Sequence, residues 1–364
     1  VYYTSYSASS ETKMSSLDYL TKNTEVNSVT IDIKTVSWYV SFKMNDDNFW
    51  SIKPISDNRT KNIKETIEKL HEKWIYVIAR VVVFKDKSLA ERRPDLAVKR
   101  LDNSAVWTDY KWLKYLDPSA KEVWDYNATI ASEAYNIWFD EVNFDYVRFP
   151  TDGRISNTYY SFSNEILKQN PKYWKVMALD KFSSYITSKL KNEIPEIVLS
   201  ADIFWLVTKN DMLNIWQSLE SFVLYFDYVW PMVYPSHYWA GYLWFAVPDN
   251  HPYEIIKEAM QFSNKKIDKL NKDIKQSTLS WTVFKIKDVF APAIDVSTIW
   301  EIPKTKVRPW LQWFTCTWCK WATAYGRNKF REQIRASNDS WIDSWWVWSS
   351  WSNYYPHWYN KEDE

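Results

Sequence analysis

Glycine is almost missing from this chain. There are 3 in 364 residues, where ordinary usage of about 7% would supply roughly 25. Tryptophan is correspondingly abundant at 25, and many copies stand where a turn wants a residue without a side chain. N-I-W-F-D and E-K-W-I-Y-V each put Trp just before a strand-like run, and S-W-I-D-S-W lies near the end. Glycine is the default residue at such points because it alone reaches positive φ without a steric cost. The pattern predicts a gene in which UGA specifies glycine, translated here with UGA as tryptophan. A Trp-rich carbohydrate binder is the alternative, but its tryptophans would cluster rather than recur at turns along the whole chain. On the recoding reading the aromatic fraction is inflated and carries no meaning of its own.

Other shortages exclude whole classes of function. Lys and Arg number 46 against 45 Asp and Glu, a formal net charge of +1, so there is no electrostatic basis for nucleic acid or an anionic membrane as partner. No apolar run approaches the roughly 20 residues of a membrane span. The chain begins at Val1 without a charged and apolar leader, which fits a processed or trimmed start. Cysteine is limited to Cys316 and Cys319 in C-T-W-C, too few for a four-ligand zinc site; a small loop disulfide or two idle thiols is expected instead. Histidine occurs four times, at 71, 237, 251 and 357, which argues against a metal-dependent hydrolase with His-rich strand ends. No metal and no cofactor is expected.

What is present is a rhythm. A short β-rich start is followed by a helical stretch over 13–22. The second strand, V-N-S-V-T-I-D-I-K, carries Asp32, and its helix over 61–73 has apolar residues at Ile63, Ile67 and Leu70. A third strand, W-I-Y-V-I-A-R-V-V-V-F, carries Arg80, and a long connection leads to a helix over 121–136. Further strands end near Asp145, Asp202 and Tyr234, with helices expected over 173–192, 211–221 and 253–262. Two last strands span 307–314 and 343–350, with a helix over 328–337 between them. Eight strand-then-helix units predict an α/β fold, a single (β/α)8 TIM barrel over residues 1–355 with a polar tail at 356–364. A doubly wound sheet is disfavoured because no G-x-G-x-x-G or phosphate loop is present even with Gly written for Trp. The lysine-rich stretch 264–306 reads as an excursion outside the barrel wall.

The stretch 138–153, W-F-D-E-V-N-F-D-Y-V-R-F-P-T-D-G, stands out. In an extended chain Glu141, Asn143 and Asp145 share one face while Val142, Phe144 and Tyr146 share the other. An ordinary surface strand fills its polar face with Lys, Thr and Ser; here the face is an acidic ladder. This segment resembles the G-F-D-E-I-Q-F-D-Y-V-R-F-P hallmark of a bacterial glycoside hydrolase domain family. So do I-A-R-V-V-V-F-K-D (78–86), V-W-D-Y-N (123–127), S-A-D-I-F (200–204), P-M-V-Y-P-S-H-Y (231–238) and R-P-W-L-Q (308–312), in order along nearly the whole chain. The family pattern has Gly at positions 138, 205 and 216, where this chain has Trp. The stretch 264–306 and the two cysteines depart from it. More remotely, Asp140, Asn143 and Asp145 fall on the aspartates of the chitinase strand D-x-x-D-x-D-x-E, but Val147 replaces its catalytic Glu, so that mechanism cannot be carried over.

The resemblance implies hydrolysis of a polysaccharide outside the cytoplasm or in the cell envelope, with a carbohydrate as the partner. Glycoside hydrolysis needs one protonated and one ionised carboxyl group, and a barrel supplies them from the C-terminal ends of its strands. Asp145 and Asp202 end neighbouring strands and are the candidate pair, with Glu141 in reserve. The less favoured reading makes Asp145 a structural acid paired with Arg80 or Arg148, and Asp202 a helix-capping acid. Candidate substrate contacts are Asp32, Arg80, Arg148, Tyr234, His237, Trp310, Gln312 and Trp348, the two tryptophans as apolar platforms. A catalytically inactive glycan-binding barrel is the other reading.

Overall fold

The structure, a computed structural model, describes residues 1–36, 40–45, 62–209, 214–280 and 302–359, together with 294, 296 and 299. Eight parallel strands follow one another round a nearly closed barrel: β1 (Tyr2–Tyr3), β2 (Ser28–Lys34), β3 (Tyr76–Val82), β4 (Glu141–Asp145), β5 (Val198–Phe204), β6 (Tyr228–Val233), β7 (Trp310–Gln312) and β8 (Trp346–Trp348). Each is hydrogen-bonded to the next from β1 through to β8. The expected (β/α)8 architecture is therefore present. At the seam between β8 and β1 a side chain completes the closure. The Tyr354 hydroxyl accepts from the Tyr2 N–H at 3.0 Å and donates to the Tyr2 carbonyl at 2.8 Å.

Seven helices form the outer layer: α1 (Glu11–Asn23), α2 (Ile63–His71), α3 (Lys121–Asn136), α4 (Trp174–Glu193), α5 (Leu219–Tyr225), α6 (Pro252–Ser280) and α7 (Arg327–Asn338). Val142 and Phe144 point from β4 into the apolar shell under these helices. Glu141, Asn143 and Asp145 point inward, as the alternation requires. The barrel interior is filled in layers, with Tyr2, Ile78, Trp230, Trp310 and Trp346 forming a compact cluster of their own.

Two expectations are corrected. The lysine-rich stretch does not begin as an excursion, because α6 runs on to Ser280 between α5 and α7 with Leu270 and Ile274 buried. Its lysines alternate with an apolar face at helical spacing, and that face seats the segment in the helix layer. Most of 281–301 lies outside the described residues. The helix expected over 211–221 instead starts at Leu219, where the Ser218 hydroxyl caps the Ser221 N–H at 3.4 Å. At the end of the described residues, the 3-10 turn Pro356–Trp358 packs its Trp358 against Trp313 with tilted rings, and Tyr359 is buried beside it. The polar residues beyond 359 lie outside the described residues.

Among the described residues, six of the eleven non-glycine residues with positive φ are tryptophan: Trp74, Trp112, Trp138, Trp216, Trp244 and Trp341. Three of them close helices in one manner. After α2, the Trp74 N–H bonds the His71 carbonyl and the Ile75 N–H the Leu70 carbonyl; Trp138 and Phe139 repeat this after α3, and Trp341 and Ile342 after α7. That double bond pattern is the Schellman motif, whose left-handed residue is normally glycine. Burial does not offset the strain, since Trp74, Trp244 and Trp341 are 92%, 98% and 93% exposed. An L side chain in this conformation costs about 1–2 kcal/mol. Trp74→Gly and Trp341→Gly should each raise unfolding stability by about 1 kcal/mol, measured by urea titration. Trp138→Gly should gain less, because Lys64 packs over its ring at 4.5 Å.

Candidate active site

Arg80 leaves β3 toward the barrel axis and gathers three aspartates from three strands. Its Nη1 donates to Asp32 Oδ1 at 2.5 Å and its Nη2 to Asp145 Oδ2, while Nε faces Asp202 Oδ2 at 3.6 Å. Each acid has a second anchor. The Tyr2 hydroxyl donates to Asp32 Oδ2 at 2.5 Å, and the Tyr146 N–H to Asp145 Oδ1 at 2.5 Å. Asp202 Oδ1 accepts from Trp310 Nε1 at 2.9 Å and Asn143 Nδ2 at 3.2 Å. Asp145 and Asp202 therefore meet across one guanidinium, as strand-end geometry predicts.

One guanidinium cannot neutralise three buried carboxylates, and the imbalance falls on Asp202. Burial first, and then the negative charge of Asp145, push its carboxyl far above the usual range, against the pull of Arg80 and the two hydrogen bonds. Asp145 takes a charge-assisted bond from Arg80 on one oxygen and a backbone N–H on the other. Arg80 is held charged: burial opposes this, but Asp32, Asp145 and Asp202 together outweigh it.

Above the cluster opens a cleft of about 250 Å³. Arg80, Asp145, Asp202 and Trp310 line its deep end, and Tyr146, Arg148, Phe204, Trp205, Tyr234, His237, Phe314, Trp318 and Trp348 are in its walls. Tyr234 is kept protonated by burial and by the neighbouring Asp202 and Asp145, so its phenol remains a donor. Trp348 meets Phe314 edge to face at 5.1 Å and Tyr234 at 6.2 Å. Arg148 lies over the Tyr146 ring at 4.7 Å and bonds the Phe149 carbonyl and the Thr151 hydroxyl, both at 3.2 Å.

Several expected members fall elsewhere. Glu141 is fully buried at the opposite level of the barrel, held by Arg308 at 2.7 Å and by the Tyr76 hydroxyl at 3.2 Å; it does not reach the cleft. Gln312 is also fully buried and ties loops together, accepting from the Ser236 N–H and donating to Asp249 and the Phe314 carbonyl. Asp32 acts on Arg80 and Tyr2 rather than lining the cleft. Trp310 is 1% exposed, so its indole N–H fixes Asp202 instead of offering a sugar platform. For Glu141 strand alternation gave the face correctly but not the depth along the barrel, whereas Asp32 and Gln312 sit level with Arg80 and Trp348 and are taken up by their own hydrogen bonds.

Residues 1–288 and 287–354 match the family described as "Putative glycosyl hydrolase domain". The chain belongs to that family. Among solved structures, the PgaB (BpsB) glycoside hydrolase domain from Bordetella bronchiseptica aligns over 97% of this chain and 94% of its own, with TM-score 0.62 and 11% identity, a likeness of fold. A hypothetical protein from Ruminiclostridium thermocellum ATCC 27405 is 29% identical over 59% of this chain and 98% of its own, with TM-score 0.45. No curated protein matches the chain.

Sequence reasoning missed Tyr2 at the charge cluster and Tyr146, Phe314 and Trp318 in the cleft. Tyr146 carries the one local signal, a positive φ of 54° directly after Asp145, and such strain gathers at functional sites. Removing the hub should be costly. Arg80→Met leaves buried carboxylates uncompensated and is expected to lose about 3–5 kcal/mol of stability near neutral pH. The loss should shrink in acid, where those carboxylates protonate, and urea unfolding at both pH values measures it.

Proposed function

We propose that the chain cleaves O-glycosidic bonds of a polysaccharide, with Asp202 as the general acid and Asp145 as the nucleophile or the base for water. The observation that carries this reading is the pairing of a buried acid of raised pKa with a second carboxylate bonded to the same guanidinium, in an aromatic-walled cleft. Asp202 donates its proton to the leaving oxygen as the glycosidic bond breaks, and Asp145 stabilises or attacks the anomeric carbon from the other side. Tyr234, His237 and Arg148 offer polar contacts to sugar hydroxyls, and Trp348 with Phe314 offers apolar ring faces. We propose an envelope or extracellular polysaccharide as the substrate, which would put the enzyme outside the cytoplasm or at the cell envelope.

The test is release of reducing ends from a panel of envelope and extracellular polysaccharides. Asp145→Asn and Asp202→Asn should each lower kcat by about 10²–10⁴-fold while retaining glycan binding. The raised pKa of Asp202 means activity present at lower pH is lost as pH rises through that pKa. Asp202→Asn should remove this alkaline limb. Because Asn cannot ionise, the same variant should be no less stable than the parent at neutral pH. Release undiminished in Asp145→Asn would contradict the mechanism, and binding without any release in the parent would favour an inactive glycan-binding barrel.

We further propose that many tryptophans, Trp74, Trp138, Trp205 and Trp216 among them, stand for UGA-encoded glycines. The left-handed tryptophans support this, as does Trp205. Its indole Nε1 is buried without a partner, and its ring lies 3.9 Å from that of Tyr238 in the cleft wall. An unsatisfied buried donor costs about 1–3 kcal/mol. Trp205→Gly should widen the cleft and raise hydrolysis, whereas UGG codons at positions 74, 138 and 205 would refute the recoding.

A further inference from the structure

The two cysteines and His237 belong to different parts of the sequence but to one corner of the cleft. Cys316 and Cys319 lie in the loop after β7 and form a disulfide; His237 follows β6. One donor atom from each of the three lies within 4.8 Å of the others. The histidine that C-T-W-C lacks in sequence is thus supplied by a neighbouring strand end.

We propose that the dithiol form of this corner is a Cys2His site for a divalent cation of the zinc class. The C-x-x-C spacing is that of a metal-binding knuckle. The Ser236 hydroxyl engages His237 Nδ1 at 3.1 Å, which orients the ring and leaves the other nitrogen for a metal, the usual outer partner of a ligating imidazole. Two thiolates, a neutral imidazole and a dication sum to zero charge, which suits a place where Cys316 is fully buried. Thiolate ligands select zinc over magnesium or calcium. His237 is exposed on the cleft side, so a fourth position remains open to water or a hydroxyl ligand.

Reaching this state balances simply. Two external thiols or one dithiol supply two electrons and two protons, leave as their own disulfide, and convert the Cys316–Cys319 bond into two thiols. The cation then displaces both thiol protons to solvent. Either bridge holds the same loop, whose Trp318 stands in the cleft wall stacked on Phe314 with ring centres 6.1 Å apart. Covalent and metal clamps thus alternate with redox state while the cleft wall stays in place.

The experiment uses the full chain, reduced anaerobically, freed of reductant and titrated with Zn²⁺ under native mass spectrometry. One Zn²⁺ per chain is expected, with both thiols protected from alkylation and tetrahedral ligand-field bands on Co²⁺ substitution. Cys316→Ser and Cys319→Ser should each lose the ion. His237→Ala, at an exposed position that leaves the core intact, should bind at least about 10-fold more weakly. Failure of the reduced chain to take up zinc would overturn the proposal. So would binding by His237→Ala as tight as the parent's, since that would be a bare dithiol without the imidazole.

Discussion

A single guanidinium facing three carboxylates organises the upper part of this barrel. Arg80 cannot be removed without leaving buried negative charge, and it cannot satisfy all three acids equally. Asp32 and Asp145 receive direct bonds, whereas Asp202, at 3.6 Å from Nε, is left in the worst position for a charge. Burial and the charge of Asp145 therefore raise its pKa. The asymmetry that acid and base chemistry requires arises from unequal sharing of one cation, with no special loop involved.

The rest of the structure serves that geometry. Tyr354 closes the barrel seam through the backbone of Tyr2, and the Tyr2 hydroxyl pins Asp32 against Arg80. Closure of the sheet and placement of the charge cluster are thus mechanically linked. Beneath the cluster, Arg308 and Glu141 form a second buried pair at the other end of the barrel, so the interior is ionic at two levels with a tryptophan-rich layer between.

Periodicity and strand ends made the barrel and the Asp145 and Asp202 pairing legible in the sequence, because parallel strands deliver consecutive termini side by side. Depth was not legible for Glu141, which shares a face with Asp145 but sits at the other end of the barrel, and neither were the hydrogen bonds that occupy Gln312 and Trp310. Nor was the reach of α6 to Ser280, since its lysines outweighed Leu270 and Ile274 in composition though not in packing. The corner joining His237 to Cys316 and Cys319 arises from strand neighbours distant in sequence. The tryptophan anomaly went the other way: composition raised it, and left-handed backbone at helix ends gives it a physical form.

The central claim is that burial and the charge of Asp145 hold the Asp202 carboxyl far above the usual carboxylate range. Infrared spectroscopy reads this directly from the carbonyl stretch of a protonated carboxylic acid, with Asp202→Asn and Asp145→Asn as references. The account predicts a band that persists in the parent to a pH well above the usual carboxylate range, is absent from Asp202→Asn, and titrates at lower pH in Asp145→Asn, where the neighbouring charge is gone. A parent spectrum with no such band, or a band unchanged in Asp202→Asn, would contradict it.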